Sequence, residues 1–271
     1  MEVILVDISI TSFIPLIIAA ASGALISKIL LHESNLLFFK LKQPFDSNNV
    51  LFYIVLGMLA GLVSLYYVNF FDRIESRFQK ISSRFVKWII GGISLAFLFA
   101  LFPSLFGEGY ESIIALSEFR TDDLLKDSLI YTLINNKWIL LLFIILTLLF
   151  KTIAAAVTIG SGGNGGNFAP SLFVGAYLGF SFSFFLTLIG FKDIPVSNFT
   201  IVAMAGILSG VFHAPLTSIF LIAEITGGYE LIIPLMIVAV VSYVIVKYFH
   251  PLSLDVRRLK DKGTIISENK D

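Results

Sequence analysis

The sequence is dominated by long apolar runs, which restrict the chain to folds that place them in a lipid bilayer. Of its 271 residues, 57% are hydrophobic and only 14% are charged, whereas soluble domains carry about 25% charged residues. A helix that crosses a bilayer needs roughly 20 mostly apolar residues. Six segments satisfy that requirement and predict an all-α polytopic membrane domain: 11–31, 50–70, 87–103, 138–159, 167–191 and 229–249.

The charges cancel overall but are unevenly distributed between the connecting segments. Segment 72–87 contains five basic residues, whereas 104–127 contains two basic and six acidic residues. Because basic loops stay in the cytoplasm, we expect 72–87 to be cytoplasmic and 104–127 to lie outside. Residues 1–251 then form the membrane domain and 252–271 a cytoplasmic C-terminal helix and tail. A simple solvated end is the plainer explanation for the basic residues of that tail.

A histidine, an alanine and a proline at 213–215 interrupt the apolar stretch 199–225. The pieces on either side have about 14 and about 11 residues, and 14 helical residues cover only about 21 Å of a hydrocarbon core about 30 Å thick. Pro215 lacks an amide hydrogen and disfavours a helical conformation in the preceding residue. We therefore expect a helix broken within the membrane, as at many transport sites. A kinked but continuous helix is the alternative.

A second interruption, at 160–170, is rich in glycine and lies between two apolar runs. Five of the seven residues from 160 to 166 are glycine, and the segment ends in Phe168, Ala169 and Pro170. A flexible linker has a similar composition, but this segment interrupts sequence of membrane depth. Glycine permits positive φ and close approach of an ion, and proline suits a first helical turn. We therefore predict that a helix begins here.

The start of such a helix offers backbone amides to an anion. The first amides of a helix have no intrahelical acceptor, and the helix dipole adds partial positive charge at the same end. We predict that Gly166, Asn167 and Phe168 form an anion site without any full positive charge. A weak site suits conduction because an ion bound to lysine or arginine in a dry pore would leave slowly.

Few other residues offer chemistry. Lys151 and Glu224 are the charges placed deepest in apolar sequence, and charges at that depth are functional candidates by default. Lys151 either biases the local potential of the pore toward anions or has a paired structural role. Glu224 lies next to a helix end, which favours a structural role. The chain has no cysteine, and its three histidines lack metal-ligand spacing, so neither a metal nor another cofactor is predicted.

The glycine-rich segment also carries the signature of a known family. Residues 160–176 read GSGGNGGNFAPSLFVGA and closely resemble the motif GSGGxGGxFAPSLFxGA of the CLC chloride channels and chloride/proton antiporters. Further matches to the family occur in order along the chain, at Phe13-Ile14-Pro15, Pro103, 107–110 (GEGY), Ala205-Gly206, 213–217 (HAPLT), 224–226 (EIT) and 229–234 (YELIIP).

This resemblance implies an inverted-repeat membrane fold with broken helices, in a homodimer whose subunits each hold an anion path. The matched motifs resemble those of the second repeat, so we expect that repeat and one or two preceding helices. The family's GSGxP serine motif and its GxEGP motif with a gating glutamate do not occur. Asp255 stands where the family has a tyrosine after its last membrane helix, which makes it a candidate inner-gate residue. A carboxylate facing an anion would repel it unless protonated or turned away.

The functional hypothesis is therefore transmembrane chloride transport, as a channel or as a chloride/proton antiporter. We expect the protein to lie in the plasma (inner) membrane, with its C-terminus in the cytoplasm as the basic residues of the tail indicate. Its expected partners are chloride, protons in the antiporter case, the lipid bilayer and a second copy, and not nucleic acid. The alternative is a truncated or split chain that needs an N-terminal half. An intramembrane enzyme lacks support, because the sequence has no HExxH, no GxSxG and no paired membrane aspartates.

Overall fold

A computed structural model describes residues 10–31, 44–125, 128, 136–253 and 256–257. These residues form helices joined by short turns, with no strand among them. The helices, numbered in chain order, are α1 Ile10–Leu31, α2 Val50–Gln79, α3 Arg84–Leu101, α4 Tyr110–Ser117, α5 Asp122–Leu125, α6 Lys137–Gly160, α7 Phe168–Leu188, α8 Val196–Phe212, α9 Pro215–Thr226 and α10 Ile232–Phe249.

The predicted membrane spans all correspond to helices. Within the described residues, five helical segments are long and apolar enough to cross a bilayer: Ser47–Gln79, Arg84–Leu101, Lys137–Gly160, Phe168–Leu188 and Tyr229–Phe249. The predicted span 11–31 forms α1, whose apolar stretch Ile14–Leu30 is exposed along its length. The chain is therefore a polytopic, membrane-embedded, all-α protein, as the sequence predicts.

Helix α2 extends further than the apolar pattern indicated. The prediction ended the span at residue 70, but the helix continues to Gln79 and carries Arg73 and Arg77 on its last turns. Its continuation has a simple cause, because no proline or glycine occurs between residues 62 and 79. Helix α3 then begins after Ser83, whose Oγ accepts a hydrogen bond from the Val86 amide at 3.5 Å. The predicted loop 72–87 is thus mostly helix.

Helices α7 and α8 form the centre of the packed core. Most of α7 is buried, and α8 lies between it and α10, which in turn packs on α2. Gly175 and Gly179 allow the close crossing of α7 and α8, because a side chain at either position would overlap the backbone of α8 at Met204 or Phe199. Small residues commonly permit such approach between membrane helices.

The break at 213–215 is present. Helix α8 ends at Phe212, His213 adopts a left-handed conformation with φ of 58°, and α9 begins at Pro215. The two helices have 17 and 12 residues, so each is too short to cross the bilayer. The left-handed residue turns the chain away from the α8 axis, and Pro215 starts the next helix without a lost hydrogen bond. The alternative of a kinked continuous helix is therefore wrong.

Candidate anion site

The glycine-rich segment forms a turn that closes α6 and leads into α7. The amides of Gly162 and Gly163 donate to the carbonyls of Ile159 (3.1 Å) and Thr158 (2.8 Å), which satisfies the last turn of α6. Gly162 has φ of 100°, a conformation that side-chain-bearing residues rarely adopt. The chain reverses here and starts a new helix at Phe168. The predicted helix start is confirmed, and the flexible-linker alternative is wrong.

The first backbone amides of α7 have no hydrogen-bond acceptor among the described residues. Its first internal bond runs from the Ser171 amide to the Asn167 carbonyl (3.1 Å), which also accepts from the Ser171 hydroxyl (2.5 Å). Pro170 has no amide hydrogen. Among the described residues, no acceptor is bonded to the amides of Gly166, Asn167 or Phe168. The three predicted site residues therefore present free donors at one place.

Asn167 does not cap its own helix, although asparagine is a preferred cap residue. It has φ of −87° and ψ of −12°, a helical conformation, and its side chain accepts no bond from the following amides. By contrast, Asn136 has extended backbone, and its Oδ1 accepts from the Trp138 amide at 3.1 Å. An extended cap residue points its side chain back at the helix amides. The helical conformation of Asn167 thus keeps the start of α7 open.

The Asn167 side chain is itself buried. Only 9% of the residue is exposed, and its Oδ1 has no hydrogen-bond partner among the described residues. Phe168 is 40% exposed. A buried polar atom without a partner is costly unless a further group meets it. The start of α7 is therefore incomplete in polar contacts at both its amides and this side chain.

A cavity of about 440 Å³ lies beside this helix start. Gly165, Gly166, Ala169 and Pro170 line one side of it, so it meets the chain immediately before and after Asn167 and Phe168. Lys151 lines another side. We call this space the amide cavity. Its volume is ample for a small hydrated anion next to the free amides.

Lys151 is buried, and its ammonium group is held by a neighbouring loop. Its Nζ donates to the carbonyls of Leu105 (3.0 Å) and Gly107 (2.8 Å) and lies 4.5 Å from the centre of the Phe173 ring. Carbonyls and an aromatic face solvate the ammonium without neutralising it. Lys151 therefore lies in the wall of the amide cavity, and its side chain anchors the neighbouring loop.

The loop that Lys151 holds is shaped by two glycines. Gly107 and Gly109 have φ of 67° and 84°, and a side chain on Gly109 would overlap the Phe173 ring. This loop brings Glu108 to the wall of the amide cavity. The sequence marked residues 107–110 only as a family motif. The two glycines are the signal that a tight turn occurs there, but they do not show which helices it contacts.

The remaining sequence candidates lie away from this site or outside the described residues. Glu224 is exposed near the end of α9, where its Oε2 accepts a hydrogen bond from the Tyr229 hydroxyl at 2.6 Å. That contact agrees with the structural role favoured for it. Asp255, the candidate inner-gate residue, lies outside the described residues. Within those residues, no cluster of three or more potential metal ligands occurs.

Comparison with protein families identifies the family of this chain. The family model described as voltage gated chloride channel matches residues 1–247. The chain belongs to the CLC family of voltage-gated chloride channels. The resemblance drawn from the glycine-rich motif and the motifs after it is therefore confirmed.

Curated relatives agree with this assignment. The chain is 31% identical over 198 residues to a putative ClcB-like chloride channel protein of Ralstonia nicotianae, covering 72% of this chain and 42% of that protein. It is 28% identical over 254 residues to the voltage-gated ClC-type chloride channel ClcB of Escherichia coli. That match covers 92% of this chain and 56% of the Escherichia coli protein.

Two solved structures share the fold. One is a CLC-type fluoride/proton antiporter, with TM-score 0.69, 21% identity and coverage of 93% of this chain and 57% of that one. The other is a slow cyanobacterial Cl⁻/H⁺ antiporter, with TM-score 0.66 and 19% identity. That match covers 88% of this chain and 52% of the antiporter chain. This CLC chain spans about half the length of the proteins it matches, and it corresponds to their C-terminal part.

Proposed function

We propose that this CLC chain takes part in chloride transport across the membrane, and that it holds the anion with the backbone amides at the start of α7. The observation that supports this most strongly is the uncapped helix start beside the amide cavity, where Gly166, Asn167 and Phe168 have free donors. Unpaired amides and the positive end of a helix dipole form a ready anion site.

The electrostatics of the cavity support the same function. Lys151 adds positive charge near the amides, and its ammonium is already bonded to two carbonyls. It would therefore raise the local anion concentration without forming a tight ion pair that traps the ion. Conduction requires binding that is strong enough for the ion to enter and weak enough for it to leave. Neutral amides as direct ligands, with a lysine nearby, satisfy both conditions.

The substitution Asn167→Pro tests the assigned ligand. It deletes one amide at a residue whose φ of −87° is close to the range of proline. A hydrogen bond to a charged group contributes about 1.5–3 kcal/mol, so chloride affinity should fall by about tenfold or more. Asn167→Ala, which keeps the amide and removes the side chain, is the matched control. Chloride flux into liposomes and chloride binding that are unchanged in Asn167→Pro would contradict the assignment.

The transported ions and the assembly are part of this proposal. The similar solved structures are described as chloride/proton and fluoride/proton antiporters, so both halides and proton coupling are the activities to measure. Flux of chloride and of fluoride, each with and without an imposed pH gradient, separates a channel from an antiporter. We also propose a homodimer in the inner membrane with a cytoplasmic C-terminus, for which cross-linking and protease accessibility are direct tests.

A second candidate is that the chain forms only one wall of the transport path. The chain spans only about half the length of the proteins it matches, and several large apolar side chains of α3 are exposed, among them Phe85, Trp88 and Phe97. In that case an N-terminal half would cover these surfaces and supply the remaining anion ligands. Robust anion flux from the purified chain alone would eliminate this candidate.

A further inference from the structure

The turn between α2 and α3 gathers positive charge at one end of the helix bundle. Five basic residues occur within fifteen positions: Arg73, Arg77, Lys80, Arg84 and Lys87. The first three follow one another at spacings of four and three residues, and the last two at a spacing of three. Side chains at these spacings lie on one face of a helix. The end of α2 and the start of α3 therefore each present a row of cations.

Two contacts hold this turn against the end of α6. The buried Phe78 side chain of α2 lies against Gly160, and Gly91 of α3 lies against Ser161. Gly160 and Ser161 are consecutive residues, so the end of α2 and the first half of α3 are held at the same end of α6. The two rows of cations thus belong to one surface, residues 73–87, which we call the basic turn.

The cations of the basic turn are not neutralised within the part of the chain that the structure describes. Four of their side chains form no hydrogen bond or ion pair with any other described residue: Arg77, Lys80, Arg84 and Lys87. Of the two neighbouring acids, Asp72 binds Arg257 at 2.9 Å, and Glu75 also has an interaction partner. No acidic residue occurs from 76 to 107. Because like charges repel, the basic turn favours an anionic partner.

An exposed apolar stripe of α3 continues from the basic turn. Its large side chains recur at every fourth residue: Phe85, Ile89, Ile93 and Phe97. Trp88, which is 66% exposed, packs on Phe85 with ring centres 6.1 Å apart. The stripe is about 18 Å long, close to the roughly 15 Å depth of one half of the hydrocarbon core. It therefore matches the acyl chains of one leaflet, with its aromatic pair at the membrane interface, where tryptophan is enriched.

We propose that the basic turn and this stripe form a binding site for an anionic phospholipid. The headgroup phosphate lies between the cations of α2 and α3, and the acyl chains lie along α3. Charge complementarity selects this occupant over a neutral lipid. It also selects against a second copy of this chain, because a symmetric contact through the same face would bring the two basic turns together. Each basic side chain near an anionic membrane surface contributes about a fivefold preference.

The two tryptophans of the chain, Trp88 and Trp138, make the test local. Trp138→Phe leaves a fluorescent reporter beside the basic turn. Trp88→Phe leaves one at the first turn of α6, next to the single basic residue Lys137. Each protein is reconstituted in mixed phosphatidylglycerol and phosphatidylcholine vesicles in which one lipid carries brominated acyl chains, so that quenching reports which lipid is adjacent. We expect phosphatidylglycerol to be enriched about fivefold or more at Trp88 and to be close to its bulk fraction at Trp138.

The double variant Lys80→Gln with Arg84→Gln tests the cations and keeps three basic residues of the segment to preserve its orientation. Enrichment at Trp88 should fall by about fivefold or more, and raised salt should lower it in the parent protein. Lys137→Gln is the matched control and should leave it unchanged. This inference does not depend on anion transport, so chloride flux tests the proposed function separately.

Three results would overturn the lipid site. Equal enrichment at Trp88 and Trp138 would show that the basic turn does not select the lipid. Unchanged enrichment in the double variant would show that its cations do not hold the headgroup. If neither brominated lipid quenches Trp88, a protein surface covers the stripe and no phospholipid binds there.

Discussion

The ammonium of Lys151 lies 4.5 Å from the centre of the Phe173 ring, which joins α6 to α7 beside the amide cavity. Phe173 in turn stacks on Tyr177, with ring centres 4.0 Å apart. The same ammonium donates a hydrogen bond to the Gly107 carbonyl. One side chain therefore connects α6, α7 and the loop that carries Glu108. A change at Lys151 should therefore affect both the charge of the cavity and the position of its wall.

We expect Lys151→Met to weaken chloride binding. A unit charge about 10 Å away contributes about 1.7 kcal/mol at an effective dielectric constant of about 20, so affinity should fall by about tenfold. The substitution also leaves Glu108 as the remaining charge in the described lining of the amide cavity. The double variant Lys151→Met with Glu108→Gln should therefore recover about a tenfold gain in affinity over Lys151→Met alone.

Lys137→Met is the control for this prediction. Lys137 is exposed at the first turn of the same helix, so its removal tests for a general effect of lost positive charge. Chloride binding measured by titration calorimetry should be close to wild type in this variant. Equal losses in the two lysine variants, or no recovery in the double variant, would show that Lys151 does not set the potential of the cavity.

The two breaks in the membrane helices could be predicted because their causes are local. Pro215 removes a donor, and the residue before it avoids helical conformation, so a boundary near 213 follows from chemistry of the backbone. The glycines before Asn167 allow the positive φ seen at Gly162. The free amides then follow from helix geometry alone. These features needed no knowledge of packing.

The features that could not be predicted depend on contacts between distant segments. The end of α2 at Gln79 lies beyond the apolar span, and charge alone did not distinguish helix from loop over residues 72–79. The depth of the loop around Glu108 is set by the bond from Lys151 to Gly107, and neither residue reveals that pairing. The absence of a side-chain cap at the start of α7 also depends on the helical backbone conformation of Asn167. The neighbouring residues in the sequence do not specify that conformation.

We expect Gly179→Ala to destabilise the fold. An added Cβ would overlap backbone atoms of Phe199 and Thr200 on α8, and backbone cannot move aside as a flexible side chain can. Overpacking of this kind costs about 1–3 kcal/mol. The measurement is thermal unfolding of the purified protein in detergent, followed by size-exclusion chromatography, with a lower midpoint for the variant.

Gly92→Ala is the matched control, because a Cβ at Gly92 meets no heavy atom within 4 Å. Alanine is a better helix former than glycine by about 1 kcal/mol, so this variant should be unchanged or slightly more stable. A similar loss of stability in both variants would mean that the alanine acts through something other than the close crossing of α7 and α8.

The contact of His250 with Arg257 makes the C-terminal segment sensitive to acid. Arginine can only donate, so the 2.8 Å contact of its Nη2 with His250 Nδ1 requires that nitrogen to be unprotonated. Nε2 then carries the hydrogen and donates to Asn69 Oδ1 at 3.0 Å. Arg257 also binds Asp72 at 2.9 Å. The neutral histidine therefore connects the end of α10 to α2 and to the segment that follows.

Burial and then the charge of Arg257 lower the pKa of His250 from its ordinary value of 6.5. A lowered histidine pKa means that the released segment binds a proton more readily than the docked one. The docking free energy is thus complete above about pH 6.5. It declines as the pH falls below that value. A spin label on Val256→Cys, unique because the chain has no cysteine, should become more mobile between about pH 7.5 and about pH 5.

His250→Asn separates protonation from other effects of acid. The asparagine Oδ1 takes a position similar to Nδ1 and accepts from Arg257, but it does not titrate. In this variant the spin label at position 256 should stay immobile across the same pH range. If acid mobilises the label equally in the variant and in the parent, His250 is not the sensor.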